Sequence, residues 1–134
     1  AAGGTTEPAT VANVESGRTK VRMYDRYPPE INDEGWPRLV RKLQAQLGFK
    51  LEDVAQFIFT QVRKCTIEEV MQKLGVPCCK AHTIMGEYGY TGSACVAMAL
   101  DDAIEKKKIK SGDLVVLVGS GVGYNQAATA FRMP

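Results

Sequence analysis

The stretch "EYGYTGSACVAMAL", residues 87–100, sets an aromatic, glycine-rich turn directly against a run with almost no charge. Thr91 or Ser93 reads as the cap of a helix that continues to about Lys108, since a short side-chain oxygen can accept from the free N–H groups of a first turn. The first half of that helix, "ACVAMAL", is apolar on every side, which predicts burial all round. Helices of that kind need a wall on each face, so the elements on either side decide the fold.

Downstream, "DLVVLVGS" is a continuous apolar run, expected of a strand in a sheet covered on both faces, and "YNQAATAFRM" reads as a last strand reached through Gly119-Ser120-Gly121-Val122-Gly123. Upstream, "CCKAHTI" supplies a short strand. Before it, Ile67, Val70, Met71 and Leu74 form a helical stripe, with Thr66 as N-cap, Glu69 completing a capping box, and Gly75 and Pro77 as the stop. Ala55 to Thr60 is a compact apolar strand. Pro37 suits a first helical turn, and Leu39, Val40, Leu43 and Leu47 recur at helical spacing until Gly48. Ahead of Trp36 the chain is loop-rich ("AAGG", "TTEP", "YPPE"), with one short strand expected over 18–24. Residues 1–35 therefore read as a lead-in arm and 36–134 as the folded unit. Its element order is helix, strand, helix, strand, helix, strand, strand, which predicts an α/β layered sheet ending in an antiparallel pair.

Composition narrows the function classes. The chain has 134 residues, 45% hydrophobic and 24% charged, with 17 basic against 15 acidic residues and a net charge of +2. That is globular material with no broad basic footprint for nucleic acid. Lys106-Lys107-Lys108 and Lys110 read as a solvated helix end, where cations complement the dipole. The charge-free run from Tyr88 to Leu100 is shorter than the roughly 20 apolar residues that span a bilayer, so no membrane role is expected. The chain starts on Ala1 without an initiator Met or a basic-apolar leader, which reads as a processed or truncated start of a cytoplasmic protein. Cys65, Cys78, Cys79 and Cys95 lack the two spaced pairs of a zinc ribbon, and one His cannot complete a finger. No metal is expected, and adjacent Cys78 and Cys79 read as small reduced core residues in preference to a strained redox pair.

Two glycine-rich stretches invite a nucleotide reading. "GSGVG" follows a strand, but Tyr124 onward alternates like another strand and offers no helix N-terminus for a phosphate. "YGYTGSAC" does precede a helix, yet it is no Walker loop.

From Glu87 to Met133 the sequence resembles the C-terminal end of the β-ketoacyl-[acyl carrier protein] synthase III group of the thiolase-like superfamily. The shared features are a Tyr-Gly-x-Thr turn, a buried helix, "IKSGD" before an apolar strand, and a glycine-rich loop before the last strand. "LEDVAQFIFTQVRKCTIEEVMQKLGVP" is similar to the segment that precedes a helix in that family. The resemblance implies a thiolase-like layered α/β/α half-domain, a mixed sheet with a central buried helix, and a turn that points at an active site. It also implies that the nucleophilic Cys belongs to an N-terminal half, so that Cys95 is a core residue.

What the resemblance implies chemically departs from the family pattern at two positions. Thr60 stands where such enzymes carry a His, and Tyr90 where they carry an Asn; both family residues donate hydrogen bonds to a thioester oxygen as it becomes an enolate. Thr and Tyr hydroxyls can each donate one bond, but Thr is no general base near neutral pH. His82, the single imidazole, is the candidate replacement base or a structural His. Gln61 and Asn125, near strand ends, are candidate substrate-binding groups, with plain bonding to backbone as the alternative for each. Gly121, Val122 and Gly123 occupy the position of the family loop whose central N–H binds an acyl oxyanion. The implied activity is acyl transfer or condensation on coenzyme A or carrier-protein phosphopantetheine thioesters, with no other cofactor, in a homodimer of the complete unit. A non-catalytic subunit that completes a partner's fold and pocket is the alternative.

Overall fold

The structure, a computed structural model, describes residues 1–20, 28–121 and 125–134. Its elements are helices α1 (Val11–Glu15) and α2 (Glu30–Leu47), strand β1 (Val54–Phe59), helices α3 (Lys64–Leu74), α4 (Met85–Tyr88) and α5 (Cys95–Glu105), and strands β2 (Leu114–Gly121) and β3 (Asn125–Arg132). The sheet order is β1-β2-β3, with β1 parallel to β2 and β2 antiparallel to β3. This is the mixed α/β sheet expected.

The apolar run of β2 follows from its two covered faces. Leu114, Val116 and Val118 join Val54, Phe57 and Phe59 of β1 against α2 and α3, while Val115 packs with Ile58 under Ala99 and Ala103 of α5. Trp36, Phe57 and Phe59 are fully buried, and the Trp36 and Phe59 rings stack at 5.2 Å. Each such side chain contributes about 1.5–3 kcal/mol by leaving water. Leu74 and Leu47 are each followed by a left-handed glycine, Gly75 at φ 74° and Gly48 at φ 72°, which stop α3 and α2 where the sequence places them.

Several helix starts differ from expectation. α2 begins at Glu30, so Pro37 lies inside it and not in its first turn. Pro37 has no N–H to give the Asp33 carbonyl; that carbonyl accepts instead from Lys73 Nζ at 3.0 Å, tying α2 to α3. α3 begins at Lys64, so Thr66 is buried within the first turn and caps nothing. "CCKAHTI" forms no strand: Cys78–Lys80 is a 3-10 turn, and only Ala81 pairs, as a single parallel bridge to Phe57. The strand expected over 18–24 lies largely outside the described residues, and residues 18–20 are a turn.

The decisive helix also needs correction. Neither Thr91 nor Ser93 caps it; a 3-10 turn, Gly92–Ala94, leads in without a side-chain cap bond, and the helix ends at Glu105 because Lys107 adopts a left-handed φ of 56°. α5 buries Cys95, Ala99, Asp102 and Ala103 on one face, with small residues letting it sit close to the sheet. Its opposite side is open: Ala97 is exposed and Ile104 is 38% exposed. One sheet supplies one wall, so burial all round does not occur in this chain.

Candidate functional site

The C-terminal ends of β1 and β2 gather the polar groups. Thr60, just past β1, is 4% exposed, and its Oγ1 accepts from the Ser120 N–H at 2.9 Å. The Thr60 hydroxyl proton goes to no described residue, which leaves it as a donor. Ser120 Oγ in turn accepts from Trp36 Nε1 at 2.7 Å and donates to Asn32 Oδ1 at 2.8 Å. Gln126 Nε2 donates to Asn32 Oδ1 and to the Ile31 carbonyl, each at 3.0 Å. Gly35 makes room for that amide, since a Cβ there would lie 2.1 Å from Gln126 Oε1. A partly buried polar network thus fixes the two strand ends from the α2 side.

On the α5 side, Gln61 is fully buried. Its N–H donates to Cys95 Sγ at 3.4 Å, its Nε2 to the Phe59 and His82 carbonyls, and its Oε1 accepts from the Ile84 N–H. The side chain proposed for substrate binding is therefore occupied by backbone. His82 is 3% exposed, with Nε2 2.5 Å from Asp102 Oδ2 and Nδ1 3.1 Å from Lys108 Nζ. An ammonium carries only donors, so Nδ1 accepts and the ring proton sits on Nε2, facing the carboxylate. The imidazole offers no free nitrogen to a substrate. Lys106 bridges Asp102 and Glu87, at 3.0 Å to each. The hydrogen bond from His82 holds the Asp102 carboxyl below its ordinary range, helped by Lys106 and opposed by burial. Glu87 and then Asp102 raise the Lys106 ammonium. The lysine run read as solvated is thus tied down at Lys106 and Lys108.

The turn ahead of α5 bends at Gly89 (φ 68°) and Gly92 (φ 61°), backbone that favours glycine. Tyr88 and Tyr90 are exposed, and the Tyr90 hydroxyl makes no hydrogen bond with the described residues. Thr91 Oγ1 is buried with no partner among them. Gly121 ends β2 opposite Asn125, and both are exposed; Val122 and Gly123 lie outside the described residues. A cleft of about 270 Å³ between α3 and the Cys78–Lys80 turn includes none of the groups at the strand ends. All four cysteines are free; Cys95 is buried as expected, but Cys78 and Cys79 are exposed and not core residues, because the turn carries the adjacent pair outward, and Cys65 is exposed as well. No group of ligating side chains suited to a metal occurs among the described residues. No described helix is long and apolar enough to cross a membrane.

Sequence reasoning missed Ser120, Asn32 and Asp102. Asp102 carried a signal: Cys95, Ala99 and Asp102 share the i, i+4, i+7 face that meets the sheet. Asn32, in a stretch read as loop, carried none.

A mixed sheet between a helical pair and one apolar helix, with polar groups at the ends of its parallel strands, is the C-terminal half-domain of thiolase-like condensing enzymes. Residues 44–133 match 3-oxoacyl-[acyl-carrier-protein (ACP)] synthase III C terminal, and the chain belongs to that family. The β-ketoacyl-[acyl-carrier-protein] synthase III of Synechocystis sp. is 34% identical over 96 residues, 72% of this chain and 29% of that protein. The synthase III of Roseiflexus castenholzii is 31% identical over 98% of this chain and 40% of its own length. The crystal structure of 3-oxoacyl-[acyl-carrier-protein] synthase III from Aquifex aeolicus superposes with a TM-score of 0.78 at 29% identity, over 83% of this chain and 36% of that chain. The chain spans well under half the length of these relatives. The resemblance read from the Tyr-Gly turn, the apolar helix and the last two strands is borne out.

Proposed function

We propose that this chain forms one side of a thioester site in a synthase III-type acyltransferase, completed by an N-terminal half that carries the nucleophilic Cys. An acyl group passes from a coenzyme A or carrier-protein thioester to that Cys and then to a second substrate, which splits one hard acyl transfer into two easier ones. The complete unit is a homodimer. Thr60 carries the reading: its oxygen is held by the Ser120 N–H and its proton is left to donate where an oxyanion develops. Tyr90, exposed on the turn, supplies a second hydroxyl donor, and the loop around Val122 supplies backbone N–H groups. Burial of Cys95 against Gln61 supports a nucleophile located elsewhere. The open side of α5 supports a second wall of protein there.

Co-expression of the chain with a Cys-bearing N-terminal half, incubation with acyl-coenzyme A and mass spectrometry test the proposal. Acyl adduct on the N-terminal Cys, and not on Cys95, is the expected result. A folded assembly that forms no adduct and turns over no thioester favours the non-catalytic subunit, a reading supported by Thr60 and Tyr90 in the places of the family His and Asn.

A further inference from the structure

Four buried residues close a hydrogen-bonded circuit across the α5 side of the sheet. Cys95 Sγ accepts from the Gln61 N–H, Gln61 Nε2 donates to the His82 carbonyl, and the His82 ring meets Asp102. Cys95 and Asp102 stand two helical turns apart on the same face of α5, so the circuit grips the helix at two points along its length. His82 also pairs through its own N–H with the Phe57 carbonyl of β1 at 3.2 Å. The circuit is largely shielded from solvent, and among the described residues the side-chain partners of the Asp102 carboxylate and the His82 ring outside it are Lys106 and Lys108.

We propose that His82 is a positioning residue, locked as its Nε2–H tautomer between Asp102 and the Lys108 ammonium, and that it holds α5 and its leading turn in register with the end of β1. The Lys108 ammonium selects the tautomer, because it gives Nδ1 a donor and leaves Nε2 as the nitrogen that can donate to Asp102. Gln61 carries the constraint from His82 to the first residue of α5, and the turn that bears Tyr90 is fixed through that residue. The functional consequence rests on the proposed thioester site; the geometry does not.

The chain has a single His, so its imidazole nitrogens are assigned without ambiguity in long-range 1H–15N correlation spectra of the full chain. The expected spectrum has an unprotonated Nδ1 and a protonated Nε2. Lys108→Met, checked for folding by circular dichroism, shifts the Nδ1 resonance and mixes the tautomers. Hydrogen exchange over residues 88–100 speeds up in His82→Leu and is slowed again in His82→Gln, which keeps an N–H donor. A protonated Nδ1 in the unmodified chain, an unchanged spectrum in Lys108→Met, or unchanged exchange in His82→Leu overturns the proposal. None of these readouts involves acyl transfer, so their failure leaves the proposed activity to its own test.

Discussion

The Ser120 N–H donates to Thr60 Oγ1 across 2.9 Å, joining the ends of the parallel strands β1 and β2 at a side chain and not through the ladder alone. A hydroxyl whose oxygen already accepts one bond has its proton aimed away from that donor. The bond therefore sets the direction in which Thr60 can donate, and the Ser120, Asn32 and Gln126 network behind it sets where Ser120 sits.

Gly35 is the steric gate of that network. Gly35→Ala pushes the Gln126 amide from its partners and is expected to cost about 0.5–1.5 kcal/mol, the net contribution of a hydrogen bond that is only partly buried. Urea unfolding checks it. Gln126→Ala added to Gly35→Ala then costs less than Gln126→Ala alone, since the two changes break the same bonds; simple additivity contradicts the assignment.

Phe59 tests the larger core. It is fully buried between Trp36 and the β2 valines, so Phe59→Ala is expected to lose about 3–5 kcal/mol, read as a lower denaturation midpoint.

Asp102 predicts an acid limb in stability. Its folded carboxyl titrates below the ordinary value of 3.8, chiefly through the His82 hydrogen bond, so its contribution is present above that value and is lost as pH falls through the lowered one. Lys106 has the opposite sign: raised above 10.5 in the folded chain, it contributes below that value and stops contributing as pH rises through its folded pKa. Urea midpoints of the unmodified chain should fall more steeply than those of Asp102→Asn as the pH drops below 3.8. Parallel profiles contradict the coupling.

The sheet and its covering helices were legible because their signals are local or periodic. The unbroken apolar run of β2 demanded two covered faces, the stripe from Ile67 to Leu74 demanded a helix, and Gly48 and Gly75 marked real left-handed stops. Helix starts were misread where the cue was a single residue. Pro37 suits a first turn, but a long-range bond from Lys73 lets it sit deep in α2, and Thr66 resembles a cap until the packing of α3 buries it. The site was legible only in outline: Thr60 and Tyr90 follow from position along the motifs, whereas the Ser120 and Asn32 network joins residues from opposite ends of the chain and has no sequence period.

The open side of α5 predicts self-association of the isolated chain. Ala97 is exposed beside half-buried Val96, Met98 and Leu100, a surface that a charge should disrupt. Sedimentation is expected to find oligomers that Ala97→Glu shifts toward monomer. A monomeric unmodified chain contradicts this.

The most direct test of the account is turnover by the chain assembled with its Cys-bearing half, comparing Thr60 with Thr60→Val and Thr60→Ser. Loss of the hydroxyl donor in Thr60→Val is expected to lower kcat by roughly 10²–10³ while the Cys is still acylated, with Thr60→Ser retaining most activity. Full turnover by a folded Thr60→Val assembly contradicts the account.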